Sequence, residues 1–258
     1  MTQRVFFSPH CDDLPLTFGG MLLDLGILET SKDLDVVVIS RTNWISGDKE
    51  GNKDNSEERI KHASELAVGE EKSCLKALGI NYLKLLGIQE SLLRGYGMEE
   101  HGIELMYPNG FNFEASKDKR LVSSLKHRIS PYLRTADEVY LPLAIRGHID
   151  HLLVREAGIS EVKELDSKGL RKARVFLGED LPYAGDATKA EWEEPLEFIR
   201  RHGLEKHTHE IDVYKKLGLF RHYPNQIWPP AYAPGVLRRA IELGSKTNPK
   251  EAVYEYKK

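Results

Sequence analysis

Two apolar runs in this chain each end in a cluster of histidine and aspartate, and that coincidence constrains the fold more than any bulk property does. The first is VFFSPHCDDLPLTFGG, Val5 to Gly20, in which three strand-like residues lead into His10, Cys11, Asp12 and Asp13. The second is EVYLPLAIRGHIDH. There Glu138 to Ile145 reads as a strand, and Arg146, Gly147, His148, Ile149, Asp150 and His151 follow at once. Charged side chains are seldom left at the end of a buried segment without partners. Alone, the first cluster could be a capped turn before a helix, where aspartate is common. Two clusters behind two strands call for a fold that brings strand ends together.

The order of elements supplies such a fold. Strands are predicted at Arg4 to Ser8, at Asp35 to Arg41 (DVVVISR), within NYLKLLG, at Glu138 to Ile145 and at Ala173 to Gly178. Helices are predicted at Thr17 to Leu28, from the N-cap Ser56 to Leu78 with Gly79 as the stop, at Lys117 to Leu133, and after the second cluster to about Gly158. Trp44 to Asn55 and Gly95 to Ala115 read as loops, and a loop as long as the second is often functional. Strand–helix alternation implies parallel strands joined by right-handed crossovers. The expected fold is α/β, a Rossmann-like three-layer sandwich with a mostly parallel sheet and a C-terminal extension. The whole chain, 1–258, is expected to form one domain, with 1–178 as the core and 179–258 packed on it. Ligands of such sheets bind at the carboxyl ends of the strands, so both clusters belong on one rim.

Composition excludes several partners. A net charge of -3 gives no reason to expect nucleic acid or an anionic membrane. No apolar run approaches the roughly 18–20 residues of a membrane span, and no signal-peptide pattern is visible. Two cysteines make no disulfide framework, which points to a reducing cytoplasm. A homo-oligomer is compatible with this sequence. A small molecule is the expected partner.

Imidazole nitrogen and carboxylate oxygen suit zinc and similar ions, and a catalytic zinc usually takes three protein ligands. The clusters offer His10, Asp12, Asp13, His148, Asp150 and His151, which leaves surplus groups for acid–base work. A water made acidic by the metal, a carboxylate to take its proton, and an imidazolium to meet a developing oxyanion would make an amide hydrolase.

SPHCDD paired with GHIDH resembles the LmbE/PIG-L family of zinc-dependent N-deacetylases, which act on N-acetylglucosamine-type sugars. LKALGI, LLGIQESLLRG, GEDLPYA and the late YPNQ segment extend the resemblance to about Gln226. It implies that His10, Asp13 and His151 hold the metal and that Asp12 is the general base. It also implies that His148 stabilises the oxyanion or protonates the leaving amine, while Asp150 orients a neighbouring histidine. Tyr183 and Gln226 are the expected sugar-binding residues, and Arg94 could either meet a polar or anionic substrate group or form a surface salt bridge. The metal is expected to be Zn2+, although Fe2+ or manganese suits the same donors. Cys11 and Leu14 stand where many members have proline and glutamate. That leaves the ligand set intact but makes the family's usual sugar contacts an open question.

Other features have plainer readings. His207 and His209 would share one face of a strand, but a solvated segment explains them as well. His62, His101, His127, His202 and His222 read as ordinary histidines, and Cys11 as a packed thiol. Glu191, Glu193, Glu194 and Glu197 read as a solvated helix face. Trp44, Trp192 and Trp228 could stack on a sugar or be buried.

The sequence thus predicts a cytoplasmic metal hydrolase that removes an N-acetyl or N-acyl group from an amino sugar or glycoconjugate. Its rivals are a deacylase of a non-sugar amide and a sugar- or nucleotide-binding protein that keeps the metal without turnover. A dinucleotide-dependent oxidoreductase is disfavoured, because no Gly-x-Gly-x-x-Gly follows the first strand.

Overall fold

The computed structural model describes residues 2–24, 31–40, 56–96 and 105–257. The first half alternates as expected: β1 (Thr2–Ser8), α1 (Asp13–Asp24), β2 (Ser31–Ser40), α2 (Glu57–Ala77), β3 (Tyr82–Ile88), α3 (Lys119–Thr135), β4 (Glu138–Pro142), α4 (Ile149–Ser167) and β5 (Arg174–Gly178). The last third adds α5 (Tyr183–Asp186), α6 (Glu193–Arg201), β6 (Leu204–Glu210), α7 (Val213–Gly218), α8 (Pro229–Leu243) and β7 (Lys250–Tyr256). The sheet runs β3-β2-β1-β4-β5-β7-β6. Strands β1 to β5 pair in parallel, and β7 pairs antiparallel with both β5 and β6. Strand order reverses between β1 and β4, and a crevice opens at the carboxyl ends beside such a switch point. The two clusters follow these two neighbouring strands. Among the described residues, no helix is long and apolar enough to cross a membrane.

A ladder of aromatic rings ties the switch-point strands together. Phe6, Tyr140 and Phe176 stand in register on β1, β4 and β5, with centroids 4.3 Å and 5.0 Å apart. Phe18 of α1 meets Phe6 and Tyr140 edge-on at 5.2 Å and 5.5 Å. This contact docks α1 on the sheet and so places Asp13, its first residue. Gly178 permits the approach: a Cβ there would come within 2.4 Å of both Phe18 and Thr17. Glu251 of β7 accepts hydrogen bonds from the Gly20 and Met21 amides and pairs with the fully buried Lys216.

Several boundaries differ from expectation for physical reasons. Helix α1 starts at Asp13 rather than Thr17, because Pro15 falls in its first turn, where a missing N–H costs nothing. The expected stretch 25–28 lies outside the described residues, as do Arg41, the 44–55 loop and 97–104 of the second loop. Strand β4 ends at Pro142. The buried residues Leu143, Ala144 and Ile145 form a turn in which Ala144 has φ 63°. Helix α4 runs through Gly158, which lets it pack closely on Leu141 of β4. The C-terminal third contributes to the sheet itself: β7 lies between β5 and β6.

Candidate metal centre

The first cluster is folded by its own backbone. Asp13 Oδ2 accepts from the His10 amide at 2.7 Å, closing the turn between β1 and α1. It also lies 3.2 Å from His10 Nδ1 and 3.4 Å from His151 Nε2. The second cluster hangs from a strained turn. Arg146 has φ 63° and Gly147 φ 69°, and a Cβ on Gly147 would sit 1.9 Å from the Tyr107 carbonyl oxygen. Segment 105–107 backs this turn: the Tyr107 amide donates to Gly147 O and the Ile149 amide to Leu105 O. His148 is the N-cap of α4, with Nδ1 accepting from the Asp150 amide at 3.2 Å.

The rim brings all six cluster residues together. The rings of His10, His148 and His151 form a triangle with centroids 5.0, 5.1 and 5.3 Å apart. Ligand atoms of His10, Asp13 and His151 lie within 4.8 Å of one another, and so do those of His10, His148 and Asp150. Asp12, Asp13, His10 and His148 line one cavity of about 130 Å³, together with Glu90, Ser91, Tyr183, Asn225, Gln226 and Tyr232.

The electrostatics fit a cation. Burial alone would raise Asp13, but His151 and His10 outweigh it and hold the carboxyl at about 2. Asp150 is likewise held well below the carboxylate range by His10 and Arg94, against the effect of burial. Burial disfavours charge on His10 and His151, yet the carboxylates around them draw both up. The carboxylates that draw both histidines up would attract a divalent ion in the same way. Asp12 differs from Asp13: burial and then its neighbour's charge push it up to about 7. Burial, His10 and His151 push His148 down to about 3. With Nδ1 accepting, a neutral His148 presents Nε2–H as a donor.

Asp180 was not singled out by the sequence. It accepts from His151 Nδ1 at 2.5 Å and, through its other oxygen, from the Ile145 amide at 2.9 Å. It follows β5, so the strand-end rule that located the two clusters applies to it as well. Glu90 and Ser91 follow β3 on the same rim. Asn225 and Tyr232 arrive from the distant C-terminal third and carried no comparable signal.

Among the expected substrate residues, Tyr183 and Gln226 line the cavity and Arg94 does not. Arg94 stands behind the site: its guanidinium donates to Asp118 at 3.0 Å and to Asp150 at 2.8 Å, and its side chain is 10% exposed. Asp150 therefore joins Arg94 to His10 Nε2, which lies 3.1 Å away. Cys11 is a buried thiol pushed up by burial and nearby carboxylates. His207 and His209 do alternate along β6, but His207 meets Glu255 and neither belongs to a metal-type group among the described residues. Trp192 and Trp228 stay outside the cavity, and Trp44 and His101 lie outside the described residues. The acidic stretch is not wholly solvated: Glu194 pairs with buried Arg155 and Glu191 with Arg146.

Comparison with known proteins places this geometry. The chain is 27% identical over 205 residues to 2'-N-acetylparomamine deacetylase of Streptomyces fradiae, a match covering 77% of this chain and 63% of that protein. The crystal structure of A40926 pseudoaglycone deacetylase shares the fold with TM-score 0.65 at 17% identity, covering 100% of this chain and 99% of that one. The zinc-inhibited form of teicoplanin deacetylase does so with TM-score 0.67 at 18% identity, covering 98% and 97%. Residues 5–162 match the family described as PIG-L, GlcNAc-PI de-N-acetylase, and with more than half of its length inside that match the chain belongs to the PIG-L family.

Proposed function

We propose that the protein is a zinc-dependent N-deacetylase acting on an amino sugar or glycoconjugate. The observation that carries this reading is the convergence of His10, Asp13 and His151 beside a cavity that Asp12 and His148 also line. His10, Asp13 and His151 would hold the metal. Asp180 on His151 Nδ1 and Asp150 on His10 Nε2 leave His151 Nε2 and His10 Nδ1 facing Asp13, the arrangement by which outer carboxylates usually orient ligand histidines. When bound there, zinc would polarise the acyl carbonyl and make a water acidic enough to ionise near neutral pH.

The remaining steps belong to the chain. Asp12 takes the proton of the attacking water, since burial beside Asp13 gives it a basicity that an exposed aspartate lacks. His148 donates its Nε2–H to the oxygen that gains charge as the carbonyl carbon becomes tetrahedral. The C–N bond then breaks. Protonated Asp12 returns its proton to the leaving nitrogen, and the products are acetate and a free amine. Tyr183 and Gln226 provide polar contacts for the sugar. The reading is supported by the deacetylases to which the chain is similar. Two free, buried cysteines accord with a cytoplasmic setting.

The test pairs metal content with acetate release from N-acetylated amino sugars. One bound divalent ion is expected, with release falling at least about 10²-fold in Asp12→Asn while the metal is retained. Wild-type protein that takes up no metal, or an Asp12→Asn variant as active as wild type, would refute the reading.

A further inference from the structure

Helix α3 carries charge of one sign. Its 17 residues include Lys119, Arg120, Lys126, His127, Arg128 and Arg134 and not one carboxylate. Leu125, Ile129 and Leu133 bury one face in the core. Arg120, His127 and Arg134, all exposed, repeat at heptad spacing on the opposite face and form a straight stripe of about 21 Å. The ion pairs of α3 are made by Lys119 and Lys126; among the described residues, none reaches Arg120, His127 or Arg134. His127 Nδ1 lies 2.7 Å from the Ser123 carbonyl oxygen, which leaves Nε2 available.

The stripe borders a groove of about 700 Å³ between α3 and α4, with His127 and Arg134 on one wall and Glu161, Glu164 and Lys168 on the other. Leu165 and Leu170 give it apolar points, Leu165 nearly buried and Leu170 44% exposed. The acids of the far wall are already engaged. Glu164 meets Lys126 at 3.0 Å and Lys168 at 2.7 Å, and Glu161 lies 3.9 Å from Lys126. The charge left open in the groove is therefore positive. Arg134 and Lys168 stand where α3 and α4 end, next to the starts of β4 and β5, so the groove reaches the end of the sheet opposite the metal-type cluster.

Charge and shape together select the occupant. A single nucleic-acid strand needs ring faces on which its bases stack, and among the described residues no phenylalanine, tyrosine or tryptophan lines the groove. Its phosphates would also meet Glu161 and Glu164. A lipid surface needs an exposed apolar face, and α3 spends its apolar face on the core. An acidic amphipathic helix satisfies both features: apolar residues enter the recess between two helices, and carboxylates meet the stripe.

We infer that this groove docks an acidic amphipathic helix of a partner protein, whose apolar stripe rests on Leu165 and Leu170 and whose carboxylates, one heptad apart, pair with Arg120, His127 and Arg134. Complementary charge steers the approach, and the spacing of the stripe selects helices whose acids share its repeat.

The probe is a fluorescein-labelled synthetic helix of about 18 residues with glutamate at one heptad position and leucine at two others. A control peptide has the same composition with the glutamates moved out of register. Anisotropy with the full chain at physiological ionic strength reads both. Wild type is expected to bind the heptad peptide at least about tenfold more tightly than the control. The double variant Arg120→Glu, Arg134→Glu should lose that preference, and Leu170→Ser should weaken binding about threefold. All three residues are exposed, so melting curves of both variants should match wild type. Equal binding of the two peptides, a preference that survives the double variant, or unchanged binding in Leu170→Ser overturns the proposal. So does tighter binding of oligothymidylate or of phosphatidylglycerol vesicles than of the heptad peptide.

Discussion

Asp180 holds His151 and the Ile145 amide with one carboxylate, so a histidine of the metal-type cluster and the turn leading into the second cluster share one anchor. Neither contact can shift without the other. The carboxylate is 1% exposed, and nothing else of its charge is available to compensate if one partner leaves.

Asp180→Asn should therefore weaken divalent-metal affinity about 10–100-fold, the usual cost of losing a carboxylate behind a ligand histidine. Competition with a chromophoric chelator measures it. Affinity equal to wild type would show that Asp180 acts on the turn alone.

Arg94→Ala tests whether Arg94 stands behind the site or touches substrate. Its removal leaves Asp118 and Asp150 without their cation, so stability should fall by about 3–5 kcal/mol in urea unfolding. With the surviving folded protein, kcat for acetate release should fall while KM stays within about twofold. A rise in KM at constant kcat would instead assign Arg94 to substrate binding.

Gly178→Ala tests the packing that places Asp13. The added methyl would press on Phe18 and Thr17, which cannot both yield without moving α1 from the sheet. Overpacking of this kind costs about 1–3 kcal/mol. Metal affinity should drop with stability, because Asp13 is the first residue of that helix. A destabilised variant with unchanged metal affinity would uncouple the two.

The acid limb of stability should depend on Glu255. Its contacts with Arg174 and Lys257 hold the carboxyl at about 2, although burial works the other way. A depressed folded-state value means that the contribution is complete above the ordinary 4.5 and is lost as pH falls toward 2. Arg174 and Lys257 are 57% and 49% exposed, so screening limits the effect to about 1 kcal/mol. Denaturant midpoints of Glu255→Gln should be flatter than wild type between pH 4.5 and 2 and parallel to it above. Parallel curves throughout would remove Glu255 from the acid response.

The parallel half of the sheet was legible because its strands are apolar on both faces: VFF, VVVI and VYL announce themselves. The rim followed from strand order alone, and with it the meeting of His10, Asp12 and Asp13 with His148, Asp150 and His151. Strands β6 and β7 were hard to read because LEKHTHE has a single apolar residue and KEAVYEY only a short apolar run between charged ones, so neither shows a clear strand period. Asp180 was hidden because GED holds no histidine and so did not look like a ligand cluster. For Arg94 the sequence left substrate contact and a salt bridge equally open. Sequence shows that a cation lies near a site but not whether two buried carboxylates have already engaged it. Asn225 and Tyr232 depend on how the C-terminal third folds back, which no local pattern specifies.

The position of β7 also bears on how the chain is made. In synthesis β6 emerges before β7, yet in the finished sheet β7 is the strand beside it and the one that separates it from β5. A nascent chain at that stage carries two open strand edges, each able to pair with a stranger. One later segment closes both. The same segment brings Glu251 to the amides of Gly20 and Met21 in α1. The helix that presents Asp13 thus receives its full set of partners only once β7 has paired.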